Sequence, residues 1–257
     1  MEENKYDYMF KYNSGEPKEG QIRISPSGIK DLIKNRPHWI KSNVLNQRKQ
    51  ADMTNANIGT VIHAMIEATY KGIEPMGVLQ AGLAYYEFTN MWDVGQMLEI
   101  MYESWKREYY PTDSEGGTNE LWLEFEPSKE IVISGTSDRI VNNTIIDWKS
   151  TGSKLSSIDS YRGQLYMYAW IARKNGYEVD NIQAVGITRP RFSSKTKEWG
   201  KSSISVVNEP IDEEYLKILI GKVQHSVKDV LEVIGNKDIL DWIGSTDILD
   251  PFDRSNI

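Results

Sequence analysis

Residues 134–151, SGTSDRIVNNTIIDWKST, constrain the fold more than any other stretch of the chain. Two β-branched runs, Ile131-Val132-Ile133 and Ile145-Ile146, flank Asn142-Asn143, and asparagine accepts the φ > 0 backbone of a two-residue hairpin turn. The expected product is an antiparallel pair in which Val141 opposes Thr144, Ile140 opposes Ile145, Arg139 opposes Ile146 and Asp138 opposes Asp147. Directly opposed side chains lie about 5 Å apart. At an effective dielectric near 20, two carboxylates there repel by on the order of 3 kcal/mol, so a cation is expected between them. Lys149 projects from the same strand face as Asp147 and can neutralise part of that charge. A hard divalent cation with oxygen ligands suits the same pair. A hairpin carrying Asp and Lys on a solvated face is also commonplace, and the register alone does not separate these readings.

The rest of the chain narrows what such a site can be. The 257 residues contain no cysteine and three histidines, His38, His63 and His225. Disulfides, thiolate zinc sites, iron–sulfur clusters and cysteine nucleophiles are thereby excluded, and any metal site must be mostly carboxylate. No apolar run approaches the roughly 18 residues of a membrane span, and the first residues lack the pattern of a signal peptide. The expectation is an intracellular protein with no membrane partner.

Net charge is -7, which argues against general adhesion to nucleic acid, but the charge is segregated. Residues 30–49 hold six Lys or Arg against Asp31, and residues 189–201 hold five against Glu198. Residues 209–257 hold eleven acids against five bases. The two basic segments are either solvated surface or seats for a phosphate backbone.

Periodicity supplies the architecture. ISPSGIKDLIKNRPHWI reads as a short helix capped at Ser25 or Ser27 and broken at Pro37. A second helix is expected from Asn57-Ile58-Gly59 with Ile62, Met65, Ile66 and Thr69 at helical spacing, and a third over 76–109. LWLEF alternates as a strand ahead of the hairpin, helix follows from Tyr161 to Lys174, and strands from Ile182 to Thr188 and from Ile204 to Val207. Residues 212–234 carry Leu216, Leu219, Val223, Val227, Val230 and Ile234 on one helical stripe. The fold class is α/β: a central mixed β-sheet flanked by helices, with a helical amino-terminal part and a carboxy-terminal helix. One domain over 1–257 is expected, comprising a polar extension (1–20), a core (21–208) and an acidic helical segment (209–257), with Gly116-Gly117 the clearest linker-like spot.

Several side chains have both a chemical and a plain packing reading. His63 neighbours an apolar helix stripe with Glu67 one turn later, and is either a hydrogen-bonded core residue or a ligand. Gln164 and Tyr168 share one helix face, where an amide and a phenol can bind a phosphate or a base edge, or else pack; Arg162 could add a phosphate contact. Glu124, alternating with Leu123 and Phe125, either faces solvent or joins the carboxylates.

Taken in order, GTVIH with His63, GTSDR with Asp138, IDWK with Asp147 and Lys149, and QLYMY with Gln164 and Tyr168 resemble the PD-(D/E)XK nuclease superfamily. The resemblance is closest to its RecB-like exonuclease branch, and the matching segments run from about residue 24 to 168. It implies a restriction-endonuclease-like core and hydrolysis of phosphodiester bonds from DNA ends, in recombination, repair or replication. It also implies that Asp138 and Asp147 bind one or two Mg²⁺ or Mn²⁺ ions, with the peptide oxygen of Trp148 and the imidazole of His63 completing the set. Lys149 would orient or deprotonate the attacking water. Gln164 and Tyr168 would hold the DNA strand, aided by Arg162, Arg36, Trp39, Arg189 and Arg191, and Glu124 or Glu67 would be an additional acid.

One departure matters. Arg36 stands where iron–sulfur members of the family carry a cysteine before the proline, so the resemblance implies a cluster-free, stand-alone exonuclease of phage or mitochondrial type. A phage-encoded protein in a bacterial host fits, with a recombination or single-strand-binding protein as partner. Competing expectations are a non-catalytic DNA-binding or scaffold relative, and an endonuclease or RNA-directed nuclease.

Overall fold

The computed structural model describes residues 5–10, 17–18, 20–47, 53–113 and 116–245. The readings above on Arg48 and Lys49 and on the two chain ends, 1–4 and 246–257, lie outside the described residues. The strands are β1 (Ile22–Ile24), β2 (Thr118–Ser128), β3 (Ile131–Val141), β4 (Thr144–Thr151), β5 (Asn181–Thr188), β6 (Phe192–Ser193), β7 (Glu198–Trp199) and β8 (Ile204–Pro210). The helices are α1 (Ile29–Lys34), α2 (Arg36–Asn43), α3 (Thr54–Tyr70), α4 (Pro75–Tyr85), α5 (Met91–Glu108), α6 (Arg162–Lys174), α7 (Glu213–Ile234) and α8 (Lys237–Ser245). Among the described residues, no helix is long and apolar enough to cross a membrane.

The hairpin forms as its turn residues require. Asn142 and Asn143 adopt φ of 47° and 57°, and β3 and β4 pair through Val141–Thr144, Ile140–Ile145 and Arg139–Ile146. The fourth expected pair, Asp138 with Asp147, is not part of the ladder.

Sheet topology explains why. β2 runs antiparallel along one edge of β3 from Ile140 down to Ile131. The opposite edge is shared: β1 pairs in parallel with Ile131–Ile133, and β4 pairs only with Arg139–Val141. Residues 134–138 of that edge are left without a strand neighbour, so β3 and β4 fork at Asp138. β4 continues through α6 into β5, which lies parallel to it over the full length of β4, and β8 pairs antiparallel with β5. The sheet is mixed, as the sequence pattern implies.

Each sheet face carries its own core. Ile145 of β4 packs with Trp39, Leu165, Met167 and the α7 residues Leu216, Leu219 and Val223, whereas Ile146 and Trp148 pack with α3, α4 and α5. Alternation along one strand thus feeds two layers. The α7 stripe is as expected, with Leu216, Leu219, Val223 and Val230 buried and Val227 and Ile234 packed against them. Asp212 caps that helix by accepting from the backbone N–H groups of Glu214 and Tyr215.

Several expectations are corrected. The expected break before Pro37 is present, since α1 ends at Lys34 and Asn35 leaves the helical region, but the chain resumes at once as α2 with Pro37 in its first turn, where a missing N–H is tolerated. Ser25 caps a short 3₁₀ turn by accepting from Gly28 N–H. α3 begins at Thr54 rather than near Asn57, and the expected helix over 76–109 is two, separated at 86–90, where Glu87 takes φ of 48° and Asn90 caps α5. β1 and the β6–β7 hairpin had no counterpart in the sequence reading, and the acidic helical segment expected over 209–257 holds two helices, α7 and α8. Gly116-Gly117 is not a linker. Both residues have positive φ, and a Cβ on Gly117 would lie 2.7 Å from the Ile140 carbonyl oxygen, so this turn presses against the hairpin and only glycine fits.

Candidate active site

At the fork, the side chain of Asp138 replaces the missing backbone partner: its Oδ2 accepts the Trp148 N–H at 2.7 Å. That bond holds the carboxylate at the point where β4 diverges. Its other oxygen, Oδ1, lies 3.4 Å from Nδ1 of His63 on α3. Asp147 and Lys149, two residues apart on β4, share a face, and Lys149 Nζ is 2.6 Å from Asp147 Oδ2. This ion pair is the contact that engages the buried Asp147 oxygen.

Gln164 on α6 closes the arrangement. Lys149 Nζ donates to its Oε1 at 3.3 Å, and its Nε2 donates to Asp147 Oδ1 at 3.4 Å. Tyr161, just before α6, sits under the ammonium with its ring centroid 4.9 Å from Lys149 Nζ. His63 and Gln164 come from helices of opposite layers. They address neighbouring aspartates because the fork opens the sheet between them.

A third carboxylate enters from β2. The pairs Asn119–Arg139 and Leu121–Ser137 bracket Glu120 and Asp138, placing Glu120 beside Asp138 in the row that Asp147 continues on the other side. Glu120 has φ of 47° and forms no ladder pair there. His63, Glu120 and Asp138 each offer one ligand atom, all within 4.8 Å of one another.

The electrostatics follow from this crowding. Desolvation opposes ionisation of Asp138, but His63, Lys149 and the Trp148 N–H outweigh it and hold its pKa below the usual carboxylate range. Burial pushes Asp147 up to about 6 despite Lys149, with the Asp138 charge acting in the same direction as burial. Glu120 is pushed up to about 8 by burial and by Asp138. For His63, desolvation alone would lower the pKa; Asp138, then Glu120 and Asp147, reverse that and raise it to about 9. Lys149 is likewise raised by Asp147 and Asp138 against the effect of burial. Without a metal, the site holds its surplus negative charge in check with protons.

Such a donor set fits a divalent cation. The carboxylates of Glu120 and Asp138 and the imidazole of His63, with the Asp147 carboxylate near enough to feel both Asp138 and His63, make a hard, mostly oxygen site, and protons retained at about 8 and 9 mark positions where a cation would be accepted in exchange.

Other sequence candidates lie elsewhere. Trp39 is 1% exposed in the core formed with α6 and α7, so it offers no face to a nucleic acid. Arg36 pairs with Asp229 of α7, and Arg162 makes a bidentate contact with Glu209 (2.7–3.1 Å) and an ion pair with Asp159 at 2.7 Å; both guanidinium groups tie elements together. Glu124 is exposed on β2 opposite Ser134, away from Asp138. Glu67 is held by Lys71, although its charge reaches Glu120. Tyr168 shares the helix face of Gln164 but is buried beside Gly135, where a Cβ would lie 3.1 Å from its hydroxyl. Arg189 donates to Asn55 at the start of α3, and Arg191 is exposed between β5 and β6.

Glu120 and Tyr161 escaped the sequence reading. Glu120 lies on the same strand, two and four residues from Trp122 and Glu124, but the register joining it to Asp138 depends on the β2–β3 turn at Lys129-Glu130, which lacks the Asn or Gly signature of a two-residue hairpin, and on the register shift between Phe125 and Ser128.

A family model described as the PD-(D/E)XK nuclease superfamily matches residues 23–239. The fold is similar to the crystal structure of a "Putative exonuclease" from Eubacterium rectale (TM-score 0.60, 14% identity, 90% of this chain and 86% of that chain). Weaker likenesses are to an alkaline exonuclease from Laribacter hongkongensis (TM-score 0.41, 9% identity, 84% and 90% covered) and a phage related exonuclease from Haemophilus somnus (TM-score 0.40, 15% identity, 87% and 95% covered). No curated protein sequence matches the chain.

Proposed function

The chain belongs to the PD-(D/E)XK nuclease superfamily, and from that premise we propose that it is a metal-dependent exodeoxyribonuclease hydrolysing phosphodiester bonds from DNA ends. The observation that carries the reading is the fork, which gathers Asp138, Asp147, Lys149 and His63 at one point with Glu120 beside them. His63, Glu120, Asp138 and Asp147 would hold Mg²⁺ or Mn²⁺, with the Trp148 peptide oxygen available at the same edge. A bound divalent ion supplies an acidified water and neutralises the phosphate.

The chain's own residues do the remainder. Asp138, fixed by the Trp148 N–H, cannot swing away when its charge is engaged. Lys149, held protonated by the two aspartates, presents a cation to the phosphate or orients the attacking water. Gln164 bridges Asp147 and Lys149 and so keeps the pair in one geometry. Arg189 and Arg191 lie at the end of β5 and supply positive charge toward a DNA strand. A role in recombination, repair or replication is part of the same proposal.

End-labelled linear and closed circular DNA, incubated with Mg²⁺, Mn²⁺ or EDTA, test the reading against Asp138→Ala and Lys149→Ala. Metal-dependent loss of linear DNA alone, abolished in both variants, is expected. Cutting of circles would replace it with an endonuclease; DNA binding without hydrolysis would make the chain a non-catalytic relative.

A further inference from the structure

Beyond the ladder of β4 and β5, the chain carries a further hairpin that is rich in basic and aromatic residues. β5 runs parallel to β4 with Gly186 beside Lys149 and Thr188 beside Thr151, so residue 189 leaves the sheet three residues past the row of the active-site lysine. The following segment, RPRFSSKTKEWGK, folds into β6 and β7 through the pairs Phe192–Trp199 and Ser193–Glu198.

The base of this hairpin is fixed. Arg189 N–H donates to the Thr151 carbonyl at 2.8 Å and its guanidinium to Asn55 Oδ1 at 2.7 Å, tying it to both β4 and the start of α3. Trp199 packs inward and donates its indole N–H to Gln96 of α5 at 2.9 Å. The outer part is left unpartnered. Arg191, Lys195, Lys197 and Lys201 are exposed, and among the described residues none makes an ion pair. Phe192, edge-on to Trp199 at 5.4 Å between centroids, keeps 49% of its surface exposed. Trp92 is 74% exposed and lies on the same face of α5 as Gln96, one turn earlier. Exposed aromatic faces interleaved with unpaired cations are what a single strand of nucleic acid requires: bases stack and phosphates are neutralised. A duplex keeps its bases inside and would leave the rings unused.

Resting on the nuclease reading above, we infer that residues 189–201 form a strand guide, with Phe192 as the stacking platform and Trp92 as its neighbour, so that the strand delivered to Lys149 is single-stranded DNA or one strand peeled from a duplex end. The occupant is fixed by charge complementarity and by the exposed rings. It also explains how a protein of net charge -7 takes up a polyanion, through one local patch rather than its whole field.

Fluorescence anisotropy in EDTA measures binding with no hydrolysis, using oligothymidylate, a blunt duplex and oligouridylate with wild type, Phe192→Ala, Phe192→Trp and Lys195→Ala/Lys197→Ala. Phe192→Ala is expected to weaken oligothymidylate binding about tenfold, with Phe192→Trp restoring it, and to leave the salt slope unchanged. The double lysine variant is expected to lower that slope by about 1.4. Unchanged oligothymidylate affinity in Phe192→Ala overturns the proposal. So does an equal loss for duplex and single strand, which would make the patch electrostatic only. A Phe192 effect confined to oligouridylate would overturn it in favour of RNA. Because binding is read without metal, the expected pattern together with no metal-dependent cleavage would sink the nuclease reading and leave the strand guide standing.

Discussion

Asp138 and Trp148 are joined by a hydrogen bond, carboxylate Oδ2 to backbone N–H at 2.7 Å, at the position where two strands stop pairing. A side chain thus takes over from the main chain at the site's centre. The bond satisfies a donor that the fork would otherwise strand in a buried setting, and fixes the carboxylate that His63 faces from the other layer.

This arrangement separates structure from chemistry at one residue. Asp138→Asn keeps an acceptor for the Trp148 N–H and removes the charge, whereas Asp138→Ala removes both. Both variants are expected to lose on the order of 10³-fold in hydrolysis, the scale of a lost metal-centred interaction of several kcal/mol. Both variants lose the charge that His63 faces, so urea unfolding should separate them by the hydrogen bond, placing Asp138→Ala about 1–3 kcal/mol below Asp138→Asn, the usual penalty for an unsatisfied buried donor. Wild-type hydrolysis by Asp138→Asn would remove Asp138 from the chemistry.

The protons held in the metal-free site predict a pH dependence of stability. His63 moves from an ordinary 6.5 to about 9, and Glu120 from 4.5 to about 8. In both cases the folded chain binds more protons than the unfolded one, so this stability is present in full at low pH and is lost as pH rises through the folded values. Thermal unfolding in EDTA should show Tm falling between about pH 6.5 and 9, by roughly 5–10 °C. Saturating Mn²⁺ should raise Tm more at pH 8.5 than at pH 6.5, because a metal competes with those same protons. A flat or rising metal-free profile over that window would contradict the site's electrostatics.

Glu120 offers a test of whether the third carboxylate belongs to the site. Glu120→Gln removes a buried carboxyl that resists ionisation, so the metal-free variant should melt above wild type at pH 9, by less at pH 6, and close to it only near pH 4.5, where the unfolded glutamate also keeps its proton. Titration calorimetry should show divalent-cation affinity weakened by about tenfold or more. Unaltered affinity would restrict the metal ligands to His63, Asp138 and Asp147.

Trp39 has moved from a candidate DNA contact to the core, and the two roles differ in what truncation does. Trp39→Ala should cost about 3–5 kcal/mol in denaturant unfolding, as for other large buried aromatics, while the folded fraction binds oligothymidylate as wild type does. Lost affinity at unchanged stability would return it to the surface role.

Much of the fold was legible because it depends on local rules. Asn142-Asn143 specified the turn, β-branched runs specified its arms, and a period of 3.6 placed α3, α6 and α7 to within a few residues. Asp147, Lys149 and Gln164 meet because a strand period of 2 and one following helix suffice to bring them together. Asp138, His63 and Glu120 needed more. β1 and β4 share one edge of β3, so the ladder ends one pair earlier than hairpin geometry alone implies, and the resulting fork admits a histidine from the opposite layer. The register of β2, set across a turn without the Asn or Gly signature, decides that Glu120 rather than Glu124 stands beside Asp138. Which arginines are spent on structure was also beyond the sequence, since Asp229 and Glu209 lie 193 and 47 positions from the guanidinium groups they hold. Local propensity and periodicity act through neighbours along the chain, so the sequence by itself determined the hairpin and the helices. Long-range strand pairing, which trades loop-closure entropy against contacts between distant segments, decided what the hairpin faces.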